Sequence, residues 1–71
     1  MKEHSHWLRP EWLRLLTERE LEVADGLHKG ASNKEIAGKG SVETVKVHVK
    51  SIFAKTGTHS RAEFVARGRR S

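Results

Sequence analysis

Cysteine is absent from the 71-residue chain, and proline occurs only once. Without thiols the chain has neither a disulfide nor a thiolate metal site, which is typical of proteins in a reducing compartment. Its apolar runs are too short to cross a bilayer, and its first residues lack the apolar core of a signal peptide. We therefore expect one small cytoplasmic domain that is not inserted in a membrane.

Groups of residues that could carry catalysis are also missing. The serines, histidines and acidic residues fall at predicted helix caps or lie scattered near the N-terminus, with no nucleophile beside a base and no phosphate-binding glycine loop. His4 and His6 are two residues apart and have no further set of metal ligands nearby in the sequence. The sequence therefore predicts that the protein is not an enzyme and has no cofactor and no metal site.

Positive charge is in excess and is unevenly distributed. The formal net charge is +5; residues 1–35 contain six lysines and arginines against seven acidic residues, whereas residues 36–71 contain eight against two. Such an asymmetry indicates a polyanionic partner. Phosphate backbones are the first choice for that partner, and an anionic membrane surface is the second.

The basic surplus coincides with a clear helical pattern over residues 41–56. At 100° per residue, one face of this helix is apolar and the opposite face carries two lysines. The apolar face consists of Val42, Val45, Val49 and Ile52, and the opposite face consists of Glu43, Lys46, Val47, Lys50 and Ala54. Because Lys46 and Lys50 stand one turn apart, they repel each other in the bare helix. A docked polyanion would relieve this repulsion, although an ordinary solvated face explains the same pattern.

Capping boxes, in which Ser or Thr is followed three residues later by Glu, mark three helix starts. They begin at Thr17, Ser32 and Ser60, and Ser41 caps the central helix. Glycines provide the corresponding stops, at Gly30, Gly38, Gly57 and Gly68. The sequence therefore predicts an all-α fold with four helices in residues 16–71, preceded by an arm or linker over residues 1–15 in which Pro10 could open a further short helix. Two alternatives stay open for this segment: Trp7 and Trp12 pack back on the body of the domain, or the segment is a frayed arm or an interdomain linker.

A short helix, a glycine-containing turn and a longer basic helix describe a helix-turn-helix, and this places DNA binding ahead of the solvated-face interpretation. Several motifs in this order resemble the LuxR-type (GerE/FixJ/NarL-like) DNA-binding domain over residues 16 to about 67. They are Leu16-Thr-Glu-Arg-Glu20, Gly30-Ala-Ser-Asn-Lys-Glu-Ile-Ala37, Thr44-Val-Lys-Val-His-Val49, and Lys55-Thr-Gly57 followed by Ser60-Arg61. The resemblance implies a domain that binds double-stranded promoter DNA as a homodimer and regulates transcription, with RNA polymerase as a further partner. Such a chain is the output domain of a response regulator or a small free-standing regulator.

The resemblance also implies which residues form the binding surfaces. Lys46, Val47 and Lys50 match the family's base-reading and phosphate-contacting positions, and Thr44 lies near the DNA backbone. The chemistry agrees, since lysine can donate to guanine and a branched apolar side chain can meet the thymine methyl group. Lys34, at the start of the second helix, could hold a phosphate. The implied dimer interface is the fourth helix, with Ala62, Phe64, Val65 and Ala66. For Phe64 the sequence favours a place in the core, and the interface is the alternative.

The turn before the central helix departs from the family pattern. Only Gly38-Lys39-Gly40 stands before Ser41, which is shorter than usual by about two residues, or about 200° of helix. The buried Leu and Ile of that turn are missing, and Ala24 and Gly26 replace larger apolar residues. We therefore expect the second helix to end early or the turn to be rebuilt with the dihedral angles that glycine allows.

A protein-interaction or dimerisation module that has lost DNA binding is the competing hypothesis. If the short turn prevents insertion into a groove, Trp7, Trp12 and Phe64 would serve as anchors for a protein partner, since aromatic side chains are enriched at interfaces.

Arg61 matches a family position that supports the fold, and we expect it near Glu20.

Overall fold

The computed structural model describes residues 6–69, and every regular element in that range is an α-helix. The helices are α1 (Pro10–Leu15), α2 (Glu18–His28), α3 (Asn33–Ala37), α4 (Val42–Thr56) and α5 (Arg61–Gly68). The predicted all-α fold is confirmed. The four predicted helices are α2 to α5, and α1 is the short helix that Pro10 opens.

The starts of α2 and α3 are complete capping boxes, as predicted. Thr17 Oγ1 accepts from Glu20 N at 3.1 Å, and Glu20 Oε1 accepts from Thr17 N at 2.9 Å. The Ser32 hydroxyl and the Glu35 carboxylate repeat this arrangement at 3.1 and 2.7 Å. Each pair satisfies amide groups that would otherwise lack partners in the first turn, so these helix starts are determined by residues only three apart.

The start of α5 differs from its prediction. Ser60 Oγ accepts from Glu63 N at 3.1 Å, which is one half of a capping box. The Glu63 carboxylate, however, accepts from His59 N at 2.7 Å rather than from Ser60 N. The Ser60 φ of −151° is more extended than the φ of −70° at Thr17. This rotation turns the Ser60 N–H away from the carboxylate, so only half of the predicted box forms.

The segment predicted as an arm belongs, from Leu8 onward, to the hydrophobic core. Leu8 is fully buried, and Trp12 keeps 6% of its surface exposed. The backbone amide of Arg9 donates to Gly68 O at 2.7 Å and thereby joins the N-terminal segment to the end of α5. The side chains of Leu8 and Trp12 therefore share one core with those of α2, α4 and α5.

Gly68 is the last residue of α5 and does not take the left-handed conformation expected of a glycine stop; the chain leaves the helix at Arg69, which is extended. The φ of Gly68 is not positive, unlike that of Gly57 at the end of α4. A Cβ at Gly68 would lie 2.9 Å from Trp12 Cζ3 and 3.1 Å from Leu8 Cδ1. Gly68 is therefore the point at which α5 touches the N-terminal segment, a contact that a larger residue would prevent.

The core is drawn from α1, α2, α4, α5 and the segments that flank α1. Its buried hydrophobic members among residues 6–69 are Leu8, Trp12, Leu16, Val23, Ala24, Leu27, Val45, Ile52 and Phe64. The Phe64 ring stacks on Trp12 with centroids 5.3 Å apart and meets Phe53 at 6.1 Å. This aromatic cluster links α1, α4 and α5.

Helix α3 is short and lies close to α2. It has five residues and is capped by Gly38, whose φ is +58°. Gly40 N donates to Ala37 O at 2.8 Å and closes the turn that leads to α4. On the other side of α3, a Cβ on Gly26 would lie only 2.6 Å from Ile36 Cγ1, so the absence of a side chain at Gly26 permits the contact. Helix α3 thus ends at Ala37, and the turn that leads to α4 uses the positive φ of Gly38.

Candidate nucleic-acid interface

Helix α4 has the two faces that the sequence predicts. Val45, Ile52 and Thr56 are buried on one face. The side chains on the opposite face are exposed to solvent: Glu43, Thr44, Lys46, Val47, Lys50 and Ala54. A basic surface is therefore carried by a helix whose other face is held in the core.

The two lysines of this surface are available to an anionic ligand. Lys46 Nζ lies 3.5 Å from Glu43 Oε2, and both side chains are largely exposed. Such an exposed pair contributes little to stability, so Lys46 can exchange it for a phosphate at small cost. Within residues 6–69, Lys50 makes no ion pair. Glu43 thus offsets only part of the positive charge on this face.

Val47 stands between the two lysines with 65% of its surface exposed. A single exposed apolar side chain is ordinary on a protein surface and does not by itself indicate a ligand. Its position on the basic face matters more, because a branched apolar group there can be buried against a thymine methyl while neighbouring lysines meet polar groups.

A buried carboxylate fixes the C-terminal half of α4 to α2. Glu20 is 4% exposed and accepts hydrogen bonds from Lys55 Nζ at 2.8 Å and from Ser51 Oγ at 2.7 Å. Burial alone would raise the pKa of Glu20, but the bonds from Lys55, the Thr17 amide and Ser51 outweigh it and lower the pKa to about 2. The carboxylate is therefore charged at neutral pH and holds two positions of α4 that are one turn apart.

Lys34 lies on α3 with an exposed side chain, and the start of this helix is held from α5. Arg61 Nη1 donates to Ala31 O, and Arg61 Nη2 donates to Asn33 Oδ1 at 3.2 Å. The expectation that Arg61 lies near Glu20 is wrong, because Glu20 is bonded to α4 and Arg61 reaches the connection between α2 and α3. Its expected role in supporting the fold fits these two bonds.

Lys39 is an exposed basic side chain that the sequence analysis did not assign to the interface. It lies in the turn between α3 and α4, which pack against each other. In the sequence, the glycines on either side of Lys39 interrupt the helical pattern. The available signal was the charge asymmetry, because Lys39 belongs to the basic surplus of residues 36–71.

The predicted dimer surface on α5 is partly exposed. Ala62 and Ala66 are exposed, and Val65 is half-buried. Phe64 has no exposed surface. The interface position implied for Phe64 is therefore corrected, because its ring is used inside the core and is not available to a second chain.

The aromatic anchors of the competing interaction-module hypothesis are also used internally. Trp7 is half-buried and stacks on His28, with centroids 4.1 Å apart and an interplanar angle of 4°. Trp12 and Phe64 lie in the core. These three side chains pack within the protein and therefore no longer favour the interaction-module hypothesis.

Residues 6–69 contain neither a group of metal ligands nor a membrane-spanning helix. No three His, Asp or Glu side chains in this range are grouped so that they could hold a metal ion. His4, one of the two histidines considered above, lies outside the described residues. No helix of the described range is long and apolar enough to cross a membrane.

The pairing of α3 and α4 through a glycine-bounded turn, with an exposed basic face on α4, defines a helix-turn-helix domain. The sequence model of the GerE family, described as bacterial regulatory proteins of the luxR family, matches residues 14–67. The chain therefore belongs to the luxR family of bacterial regulatory proteins.

Curated relatives agree with this membership. The monoamine regulon transcriptional regulator of Klebsiella aerogenes is 46% identical over 55 residues, which are 75% of this chain and 24% of the regulator. The response regulator protein VraR of Staphylococcus aureus is 41% identical over 59 residues, 80% of this chain and 28% of VraR. The chain thus spans about a quarter of the length of these relatives. No solved structure matches significantly. The family and these relatives support DNA-binding transcription regulation.

Proposed function

We propose that this chain is a DNA-binding domain that inserts α4 into the major groove of promoter DNA and thereby regulates transcription. The observation that carries the proposal is the exposed face of α4, where Lys46, Val47 and Lys50 stand together. A major groove about 12 Å wide admits an α-helix. The opposite face of α4 is anchored in the core, so the helix can enter the groove without loss of internal packing.

Each side chain has a role that its chemistry allows. Lys46 and Lys50 donate to guanine O6 and N7 or to phosphate oxygens, and Val47 packs against a thymine methyl group. The Thr44 hydroxyl bonds the DNA backbone near the start of α4. Lys34 on α3 meets a phosphate beside the groove. The bacterial cytoplasm, where promoter DNA lies, is the compartment in which this function operates.

The functional unit in this proposal is a homodimer formed through α5. Ala62, Val65 and Ala66 leave a surface of small side chains at which a second copy of α5 can approach closely. A two-fold dimer would place two copies of α4 in successive major grooves about 34 Å apart. Contact with RNA polymerase would follow from binding at a promoter.

Selection of bound duplexes from random DNA, followed by titrations at several salt concentrations, tests the proposal. Each phosphate neutralised contributes about −0.9 to the slope of log affinity against log salt. Lys50→Ala should weaken binding by about 1–3 kcal/mol at one base pair if Lys50 reads a base, or uniformly with a smaller salt slope if it meets phosphate. Fluorescence anisotropy on selected and scrambled duplexes separates these two outcomes.

Arg14→Ala is the matched control, because it removes an exposed positive charge from α1 and should leave the affinity and the salt slope nearly unchanged. Unaltered binding after replacement of both Lys46 and Lys50 would contradict insertion of α4. A selected site with two-fold symmetry, together with a dimer in sedimentation equilibrium, would support the α5 interface. An asymmetric single site bound by one chain would argue against it.

A further inference from the structure

Helix α3 is too short to hold its own position. It has five residues, and none of them is fully buried. Helices of this length are unstable in isolation, because the cost of nucleation is not repaid by one turn of hydrogen bonds. The orientation of α3 must therefore come from contacts with other elements.

One of these contacts comes from α5. The Arg61 guanidinium donates to Ala31 O and, at 3.2 Å, to Asn33 Oδ1. Ala31 and Asn33 flank Ser32, which caps α3. A planar guanidinium that bonds the chain on both sides of a helix cap restrains the position and the direction of that helix start. Both bonds are partly buried, so water competes with them less than at the surface.

We propose that Arg61 is a positioning residue for DNA binding. By clamping the start of α3 it holds Lys34, the next residue after Asn33, where its ammonium group meets a phosphate. The same clamp ties that contact to α5, the helix proposed for dimerisation. This inference rests on the proposed function, in which Lys34 contacts the DNA backbone. In this proposal Arg61 acts on DNA binding through α3, because its two hydrogen bonds direct the guanidinium to Ala31 and Asn33.

A double-mutant cycle on DNA affinity tests the clamp. Arg61→Ala and Lys34→Ala should each weaken binding to a selected duplex about three- to tenfold and reduce the salt slope by about 0.9. The double variant should bind no more weakly than either single one, because release of α3 already removes the Lys34 contact. In the corresponding cycle, Arg61→Ala and Lys50→Ala should give additive losses of DNA-binding free energy. Additive losses for Arg61 and Lys34 would overturn the proposal.

Two further variants distinguish positioning from a direct charge effect. Arg61→Lys keeps the charge but cannot bond both sides of the cap, and it should lose as much affinity as Arg61→Ala. Asn33→Ala removes one acceptor of the clamp without any change of charge, and it should weaken binding in the same way but less. An Arg61→Lys variant that binds as tightly as the wild-type chain would show that Arg61 acts through its charge on DNA.

Amide hydrogen exchange of the free chain reports on the clamp without DNA. The amides of Ile36 and Gly38 donate within α3 to Ser32 O and Lys34 O at 2.9 and 3.1 Å. In Arg61→Ala and Asn33→Ala they should exchange faster by about tenfold, whereas the amides of α4 keep their protection. Unchanged exchange in α3 would overturn the clamp. A wild-type chain with no DNA affinity would overturn the proposed function, and exchange would still decide whether Arg61 holds α3.

Discussion

The Glu20 carboxylate takes part in two sets of hydrogen bonds, one within α2 and its cap and one with residues far away in the sequence. Within α2 it completes the capping box with Thr17, and across the core it bonds Lys55 and Ser51 of α4. A buried carboxylate is tolerated only when donors replace the water that it loses. Three donors do so here, and the same donors lower its pKa to about 2.

Acid should therefore destabilise the protein through Glu20. The pKa of Glu20 in the folded chain, about 2, lies below the ordinary value of 4.5. The stabilisation is thus complete above pH 4.5 and is lost as the pH falls towards 2. A shift of this size corresponds to about 3 kcal/mol. In urea denaturation at a series of pH values, Glu20→Gln should be less stable than wild type at neutral pH, and the difference should shrink as the pH falls.

Glu35→Gln is the control for this measurement. Glu35 is an exposed member of the other complete capping box, and glutamine can occupy the same capping position. Its profile should run parallel to that of wild type. A constant difference between wild type and Glu20→Gln at all pH values would contradict the role given to the Glu20 charge.

Helix α3 and the turn after it depend on small residues elsewhere. The connection to α4 consists of Gly38, Lys39, Gly40 and Ser41 and carries no apolar side chain. Ile36 instead lies against Gly26 of α2, at a distance that a Cβ would not permit. Glycine at position 26 thus disfavours α2 as an isolated helix, but the contact between α2 and α3 requires it.

The effect of Gly26→Ala on the free energy of unfolding should consequently depend on the side chain at position 36. Alanine gains about 1 kcal/mol in helix propensity, whereas overpacking against Ile36 costs about 1–3 kcal/mol. We expect a net loss of stability in the wild-type background. In the Ile36→Ala background the clash is absent, so Gly26→Ala should stabilise by about 1 kcal/mol. Denaturant unfolding of the four chains measures this coupling, and equal effects in both backgrounds would refute it.

At the scale of the whole molecule, the N-terminal segment closes the core. The family match begins at residue 14, yet Leu8 and Trp12 are buried against α5. The bond from Arg9 N to Gly68 O joins the segment to the last turn of α5. In a chain of this size the loss of two large core side chains removes a considerable part of the apolar surface that folding buries.

Trp12→Ala should therefore cost about 3–5 kcal/mol, which is comparable to the whole stability of a small domain. Leu15→Ala in the same helix is the control, because Leu15 is 47% exposed and its removal should cost far less. Thermal unfolding followed by circular dichroism compares the two variants. A chain that begins at residue 16 should likewise lose its cooperative transition. Cooperative unfolding of that shortened chain near the wild-type temperature would show that the segment is dispensable.

The sequence by itself determined the helical class, most helix boundaries and the exposure of Lys46, Val47 and Lys50. These features depend on residues three or four positions apart, as in the capping boxes at Thr17 and Ser32 or the two faces of α4. Such local rules act before any tertiary contact exists. The exposed face was therefore predictable, and its contact with DNA stays a prediction.

Only the tertiary structure decided how distant residues share the core. Two examples are the inclusion of Leu8 in the core and the partners of Arg61, which depend on contacts between parts of the chain that are far apart in sequence. Arg61, for example, bonds residues 28 and 30 positions earlier. No local period encodes such pairings, because they follow from the packing of whole helices, in which each side chain takes the space and the hydrogen-bond partners that the others leave.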